Sequence, residues 1–283
     1  MFSFKVYWIA LRLLTPMHIG WIKVGNLQRT RPYVTGKALW GALTARLTRD
    51  GGTGNYQQIG QEVNQWLAFS YFYPSTDTDG VALWPWADPD EFAWLYLNTY
   101  ASTALNYGQN SAEEGSLHET EYLSPYTREG EPVYLLGYIF ARDGNLAWLK
   151  ALGRLQLGGE RGYGWGRVAL ASQKDWDIRQ PLFGQWAVQA GTWPPELRPT
   201  QDRAKVLAHA LAADFDDGTV RRAVSGIAGP VEPLVGRETV AGDRFGGQLS
   251  PARICHIPGS QVVNRNLVCR IGPYGIWEAG DGC

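Results

Sequence analysis

The chain has 283 residues, 45% of them hydrophobic, with 13 tryptophans, 34 glycines and a formal net charge of -1; this is enough apolar surface for one large domain or two small ones, and it favours a turn-rich, sheet-containing fold over a helix bundle. No apolar run approaches the roughly 18 residues of a membrane span, no cleavable leader is read at the amino terminus, and Cys255, Cys269 and Cys283 lack metal-ligand spacing, so a reducing cytoplasm, no membrane, no metal and no other cofactor are expected. The near-zero charge hides a gradient: residues 1–49 carry eight bases and no acid, residues 50–140 carry thirteen acids and one base, Arg128, and the remainder holds seventeen bases and fourteen acids, which suits one face to an anion and another to a basic partner.

Residues 2–14, rich in β-branched and aromatic side chains and stopped by Thr15-Pro16, read as a first strand. Residues 17–32 read as a loop. Thr35 is placed as the N-cap of a helix whose Leu39, Leu43 and Leu47 recur at spacing four. A second helical piece is expected over 59–69, a short strand over 81–86, and strand or helix over 92–97. Residues 102–128 are polar, acidic and too long for an ordinary connection, so they are either disordered or a functional projection. A strong strand follows over 132–140, then a helix over 145–157 and a last strand over 167–171.

The order β-α-β-insert-β-α-loop-β is that of an α+β, ferredoxin-like (RRM-like) βαββαβ domain. It is expected over residues 1–176, with the insert at about 100–130 between strands two and three. One face of such a sheet carries no helix, and that face can hold RNA. Residues 177–200, with Pro194-Pro195, read as a linker. Residues 204–213 read as a short helix, and 230–235, 253–258 and 267–271 as parts of a small β-rich appendage within 201–283.

The densest motif is Gly158-Gly159-Glu160-Arg161-Gly162-Tyr163-Gly164-Trp165-Gly166, followed by Arg167. Five glycines in nine residues permit positive φ and close backbone approach. Backbone amides would cradle phosphates, Arg161 and Arg167 would contact them, and Tyr163 or Trp165 would stack on a base; the alternative is a structural turn with a packed aromatic. The helix start from Gly36 to Gly41 offers unpaired amides and Lys37 to a phosphate, or merely a small residue for close packing. Arg29 and Arg31 would clamp a phosphate, or sit on a solvated loop. His18 is an anchor of its loop, an RNA contact, or the acid/base of a metal-independent ribonuclease.

Three of these segments together resemble the RAMP superfamily of CRISPR-associated proteins. Leu14-Thr15-Pro16-Met17-His18-Ile19-Gly20 is similar to the segment after the family's first strand. Tyr33-Val34-Thr35-Gly36-Lys37-Ala38-Leu39-Trp40-Gly41-Ala42-Leu43 is similar to its helix start, and the glycine loop to its carboxyl-proximal loop. The resemblance implies a subunit of a type III effector complex that binds CRISPR guide RNA, with other RAMP-type subunits and the large subunit as neighbours and target RNA close by. It fits either the subunit capping the guide 5′ handle or the repeated backbone subunit, the insert acting as a thumb; the appended carboxyl-terminal region favours the cap. The loop over 21–32 holds no Asp or Glu, where target-cutting backbone subunits carry an Asp, so the chain reads as non-cutting; the alternative is a guide-processing endoribonuclease using His18. At the family's helix-start lysine this chain has Trp40, with Lys37 three residues earlier.

Overall fold

Along the first strand, β1 (Phe4–Leu13), Val6, Trp8 and Ala10 point to one side and Ile9, Leu11 and Leu13 to the other, and all six are buried. A strand alternates sides at every residue, so β1 is apolar on both faces and needs a cover on each. The computed structural model, which describes residues 4–80, 83–142, 147–213, 222–239 and 246–280, supplies both covers.

After β1 come β2 (Gly20–Val24), β3 (Leu27–Thr30), α1 (Gly36–Gly51), α2 (Tyr56–Trp66), β4 (Leu67–Phe69), β5 (Tyr73–Ser75), α3 (Pro89–Tyr96), β6 (Leu97–Ser102), β7 (Leu105–Asn106), β8 (Ser111–Ala112), β9 (His118–Leu123), β10 (Tyr134–Arg142), α4 (Trp148–Leu152) and β11 (Val168–Asp175). The first sheet runs β11-β1-β10-β4, with β5 also beside β10, and every pairing is antiparallel. This is the split βαβ order. The helices cover the Ile9 side, where Leu39, Leu43, Val63, Trp148 and Leu152 share one core with Leu11 and Leu13. Helix α1 begins where expected: the Thr35 hydroxyl accepts from the Ala38 amide at 3.3 Å, and the helix ends at Gly52 in the left-handed region.

The second cover comes from the carboxyl-terminal third. Its strands are β12 (Trp186–Gln189), β13 (Glu196–Pro199), β14 (Ala210–Ala213), β15 (Ile227–Ala228), β16 (Val231–Leu234), β17 (Arg237–Glu238), β18 (Gln248–Leu249), β19 (Arg253–His256), β20 (Gln261–Val262), β21 (Cys269–Ile271) and β22 (Trp277–Ala279). Seven of them form a sheet in the order β12-β13-β21-β22-β14-β19-β16. Trp186, Leu197, Leu207, Ile271 and Trp277 from this part pack with Val6, Trp8, Tyr138 and Phe140 of the first sheet. Burying each such large apolar side chain is worth about 1.5–3 kcal/mol.

Several expectations are corrected by this arrangement. The helix-free face of the first sheet does not hold RNA, because the second sheet buries it. Residues 177–200 are no linker: they contain the paired strands β12 and β13. Residues 204–213 are extended, not helical, and end in β14, which pairs with β19 and β22. The strand beside β10 is β4 with β5, inside and just after the segment read as helix 59–69; Leu83 to Trp86 are turn and loop, and Val81 and Ala82 lie outside the described residues. Residues 92–97 resolve to the end of α3 and the start of β6. Only Trp148–Leu152 of the helix expected over 145–157 is helical, Asn145 and Leu146 lying outside the described residues.

The loop expected over 17–32 is a hairpin turning on Gly25-Asn26, with Gly25 at φ +59. It joins the insert. β9 pairs in parallel with β3 and antiparallel with β6, giving a four-stranded sheet in the order β2-β3-β9-β6. The insert is thus a folded projection built on the basic amino-terminal hairpin. Among the described residues no helix is long and apolar enough to cross a membrane.

Candidate nucleic-acid interface

The backbone of the glycine loop explains its composition. Gly158, Gly164 and Gly166 adopt φ of +78, +82 and +77, a region that L side chains avoid. A Cβ at Gly158 would sit on the carbonyl oxygen of His18, and one at Gly166 on that of Leu157. The loop is strapped to residues 15–18: the Gly159 amide donates to His18 O at 2.8 Å, the Gly166 amide to Pro16 O at 2.7 Å, and the Arg167 amide to Thr15 Oγ1 at 2.9 Å. Gln156 Nε2 donates to the carbonyls of Arg161 and Trp165, both at 2.9 Å. The amides of Tyr163 and Gly164 close turns onto Glu160 and Arg161.

Part of the expected phosphate cradle is therefore closed. The amides of Gly159, Tyr163, Gly164 and Gly166, four of the loop's nine, already have partners inside the protein, and the loop offers side chains as well. Arg161, Tyr163 and Arg167 are exposed, Tyr163 to 83%. Among the described residues neither Arg161 nor Arg167 is in an ion pair. Trp165 turns the other way and packs edge-on against Tyr122 at 5.1 Å and Tyr100 at 6.1 Å between ring centroids. Those tyrosines lie on one face of the insert sheet, since Tyr100 pairs with Thr120 and Asn98 with Tyr122.

Between this loop, the first turns of α1 and residues 234–237 lies a groove of about 440 Å³. Arg31, Lys37, Arg161 and Arg237 line it, and no carboxylate is among its described lining residues. The four cations differ in availability. Arg31 is buried; its guanidinium donates to Glu232 Oε1 at 2.5 Å. Lys37 reaches Glu238 Oε1 at 3.3 Å and lies 4.9 Å over the Tyr274 ring, and burial lowers its pKa. Arg161 and Arg237 are exposed and outside any ion pair among the described residues.

The remaining candidates are held by the protein itself. His18 is buried and its Nδ1 lies 2.7 Å from Glu121 O, so the ring ties the first strand's exit to β9. Arg29 is 3.5 Å from Glu121 Oε1 and 5.4 Å over the Trp21 ring. Gly36 permits close packing: a Cβ there would collide with the backbone of Tyr274 and Gly275. Trp40 is buried, donates from Nε1 to Gly60 O at 2.9 Å, and meets Tyr274 edge-on. Gly162 meets open space. Sequence reasoning missed Arg237, Tyr100 and Tyr122. Alternation along the insert strands was the available signal for the tyrosines; Arg237 has none in the local sequence.

Behind the groove the C-terminal sheet is locked to the first domain by a buried polar chain. Glu232 accepts from Arg31, from His209 Nε2 at 2.6 Å and from Trp21 Nε1 at 2.7 Å, and His209 Nδ1 accepts from the Tyr71 hydroxyl at 2.7 Å. Burial pushes the His209 pKa down, against the pull of Glu232. Burial opposes ionisation of Glu232, but the His209 hydrogen bond and the Arg31 charge outweigh it and hold its pKa down at about 2. Among the described residues no group of three or more His, Cys, Asp or Glu side chains could hold a metal ion.

A family model described as the RAMP superfamily matches residues 10–169, from mid-β1 through the glycine loop to the start of β11. No curated protein matches the chain. Among solved structures the chain is similar to one in the cryo-EM structure of the type III-B Cmr-beta bound to cognate target RNA and AMPPnP, with 12% identity over 90% of this chain and 85% of that one and a TM-score of 0.49. A chain from the type III-B Cmr-beta bound to cognate target RNA is similar at 11% identity over 60% of this chain and 97% of that one, with a TM-score of 0.41.

Proposed function

This chain belongs to the RAMP superfamily of CRISPR-associated proteins, and from that premise we propose that it is a non-catalytic RNA-binding subunit of a type III surveillance complex, holding the guide RNA at its 5′ handle. The observation that carries the reading is the groove beside the glycine loop. It joins the guanidinium groups of Arg161 and Arg237, both outside any ion pair among the described residues, to an α-helical start, with no carboxylate among its described lining residues, and the exposed Tyr163 ring stands two residues along the loop from Arg161. Cations that neutralise phosphates and rings that stack on bases are what a single-stranded RNA requires.

The RNA path runs along the groove and over Tyr163 toward the Tyr100 face of the insert, not across the first sheet. The appended carboxyl-terminal region supports the handle position over the backbone one. The acidic remainder of the insert faces a basic neighbouring subunit. The non-cutting reading rests on the absence of Asp and Glu from residues 21–32 and on His18 being engaged with Glu121. The test is binding of guide RNA by the purified chain at fixed salt: Arg161→Ala with Arg237→Ala weakens it at least tenfold, while repeat RNA stays intact. Unchanged affinity in the double variant would remove the groove from the site.

A further inference from the structure

Two of the four cations lining the groove are paired, and the two pairs differ. Arg31 and Glu232 meet inside the protein, and Glu232 has His209 and Trp21 as further partners. Lys37 and Glu238 meet through a single contact of 3.3 Å, with their side chains 19% and 30% exposed. Water and salt screen a pair of that kind, and it adds little to stability. It can exchange its partners; the buried pair cannot.

Lys37 is nevertheless held in place. A Cβ at Gly236 would come within 2.7 Å of its Cε and 2.8 Å of its Nζ, so the lysine stem crosses bare backbone there. Its Nζ lies over the Tyr274 ring, which Trp40 fixes edge-on at 4.8 Å. A second cation stands close by. Arg253 on β19 lies opposite Leu234 of β16, and its charge acts on both Lys37 and Tyr274. Burial lowers the Lys37 pKa, Glu238 raises it, and Arg253 lowers it again. Two cations facing one carboxylate make an anion site, and Glu238 is the occupant that the protein itself supplies. A phosphodiester carries the same single charge and also presents two terminal oxygens, so it suits the same site. Successive strand residues point to opposite sides: Glu238 turns toward Lys37, while Arg237 beside it lines the groove.

We infer that Glu238 is a built-in competitor for the RNA backbone: a phosphate entering the groove takes Lys37 and Arg253 from it, and the β17–β18 pair that carries Glu238 loses its tie to α1. The inference rests on the RNA-binding reading above and adds how one anion subsite of the groove is regulated. A strand that reaches only this subsite gains little, because it trades one ion pair for another. A strand that also engages Arg161 and Arg237 gains enough to displace the carboxylate.

The experiment is a salt titration of guide-RNA binding by the full chain. Glu238→Gln keeps the side chain's size and removes its charge. It is expected to tighten binding roughly two- to fivefold, the worth of a partly exposed ion pair, and to steepen log affinity against log salt by about 0.7, one phosphate contact on a single strand. Most of that gain is lost in a Lys37→Ala background, because the competitor then has little to release. Amide exchange on the unmutated chain gives a second readout that depends on no variant: with guide RNA bound, residues 36–41 exchange more slowly and residues 236–239 faster. An equal gain with and without Lys37 would reduce Glu238 to general repulsion and overturn the inference. So would slower exchange in both segments, or no gain from Glu238→Gln while Arg161→Ala still weakens binding; these leave the proposed function standing. Absence of any RNA binding by the unmutated chain overturns the proposed function and the inference with it.

Discussion

The amide of Gly159 donates to the carbonyl oxygen of His18 over 2.8 Å, and the neighbouring Gly158 leaves no room for a Cβ against that same oxygen. The glycine loop and the exit of the first strand are therefore one rigid unit, and the glycines differ in what they do. Gly158→Ala and Gly166→Ala each force a side chain into the left-handed region, costing about 1–2 kcal/mol before the clash is counted. Both are expected to lower the melting midpoint and RNA affinity together. Gly162→Ala, which meets open space, leaves both unchanged. Equal damage from all three would show that the loop's shape does not depend on these close approaches.

Arg161 and Arg237 are exposed cations outside any ion pair among the described residues, whereas Arg31 is a buried, paired one. Arg161→Ala and Arg237→Ala are each expected to reduce the slope of log affinity against log salt by about 0.7, the contribution of one phosphate contact on a single strand. Arg31→Ala leaves that slope alone but strands the Glu232 charge, and so destabilises the fold by about 3–5 kcal/mol. Salt titrations of RNA binding and chemical unfolding of the same variants separate the two roles.

The buried chain from Tyr71 through His209 to Glu232 makes stability depend on pH with a definite sign. The folded pKa of His209 is below its ordinary 6.5, so the unfolded chain takes up that proton first. Its contribution to stability is full above about 6.5 and is lost as pH falls. Glu232, at about 2 against an ordinary 4.5, contributes above 4.5 and loses that contribution as pH falls toward 2. The melting midpoint is therefore expected to drop from pH 7 to 5 through His209 and further below 4.5 through Glu232. Glu232→Gln shrinks the lower phase, leaving what other depressed carboxylates such as Asp177 contribute. A midpoint that rises on acidification from 7 to 5 would contradict the assignment.

Trp165 and Tyr163 are two residues apart but face opposite ways. Trp165→Ala removes ring contacts worth about 0.5–1.5 kcal/mol each and is expected to speed amide exchange in β6 and β9. Tyr163, 83% exposed, does no such work. Tyr163→Ala leaves exchange in the insert unchanged and weakens RNA binding by about 1–3 kcal/mol.

Local chemistry made the first domain legible. The Thr35 cap, the Leu39, Leu43 and Leu47 stripe and the apolar β1 all register within a few residues. What escaped was non-local. Ala204, Val206, Leu207, Ala208, His209, Ala210 and Leu211 are all buried, and a run apolar on both faces looks the same as a buried helix by periodicity. The pairing of β3 with β9 joins residues some ninety positions apart, which no hairpin signal announces. The glycine loop was legible as a backbone demand, but its partners were not: its amides turn inward to Pro16 and His18. Arg31 looked like half of a phosphate clamp because Glu232 is two hundred residues away in the chain.

Photochemical crosslinking of bound guide RNA followed by peptide mapping tests the central claim most directly. Adducts are expected on Tyr163 and on peptides containing Arg161 and Arg237, competed away by unlabelled guide and absent from the β12–β13 face of the second sheet. Crosslinks concentrated on that face, or none at the glycine loop while RNA is bound, would contradict the account.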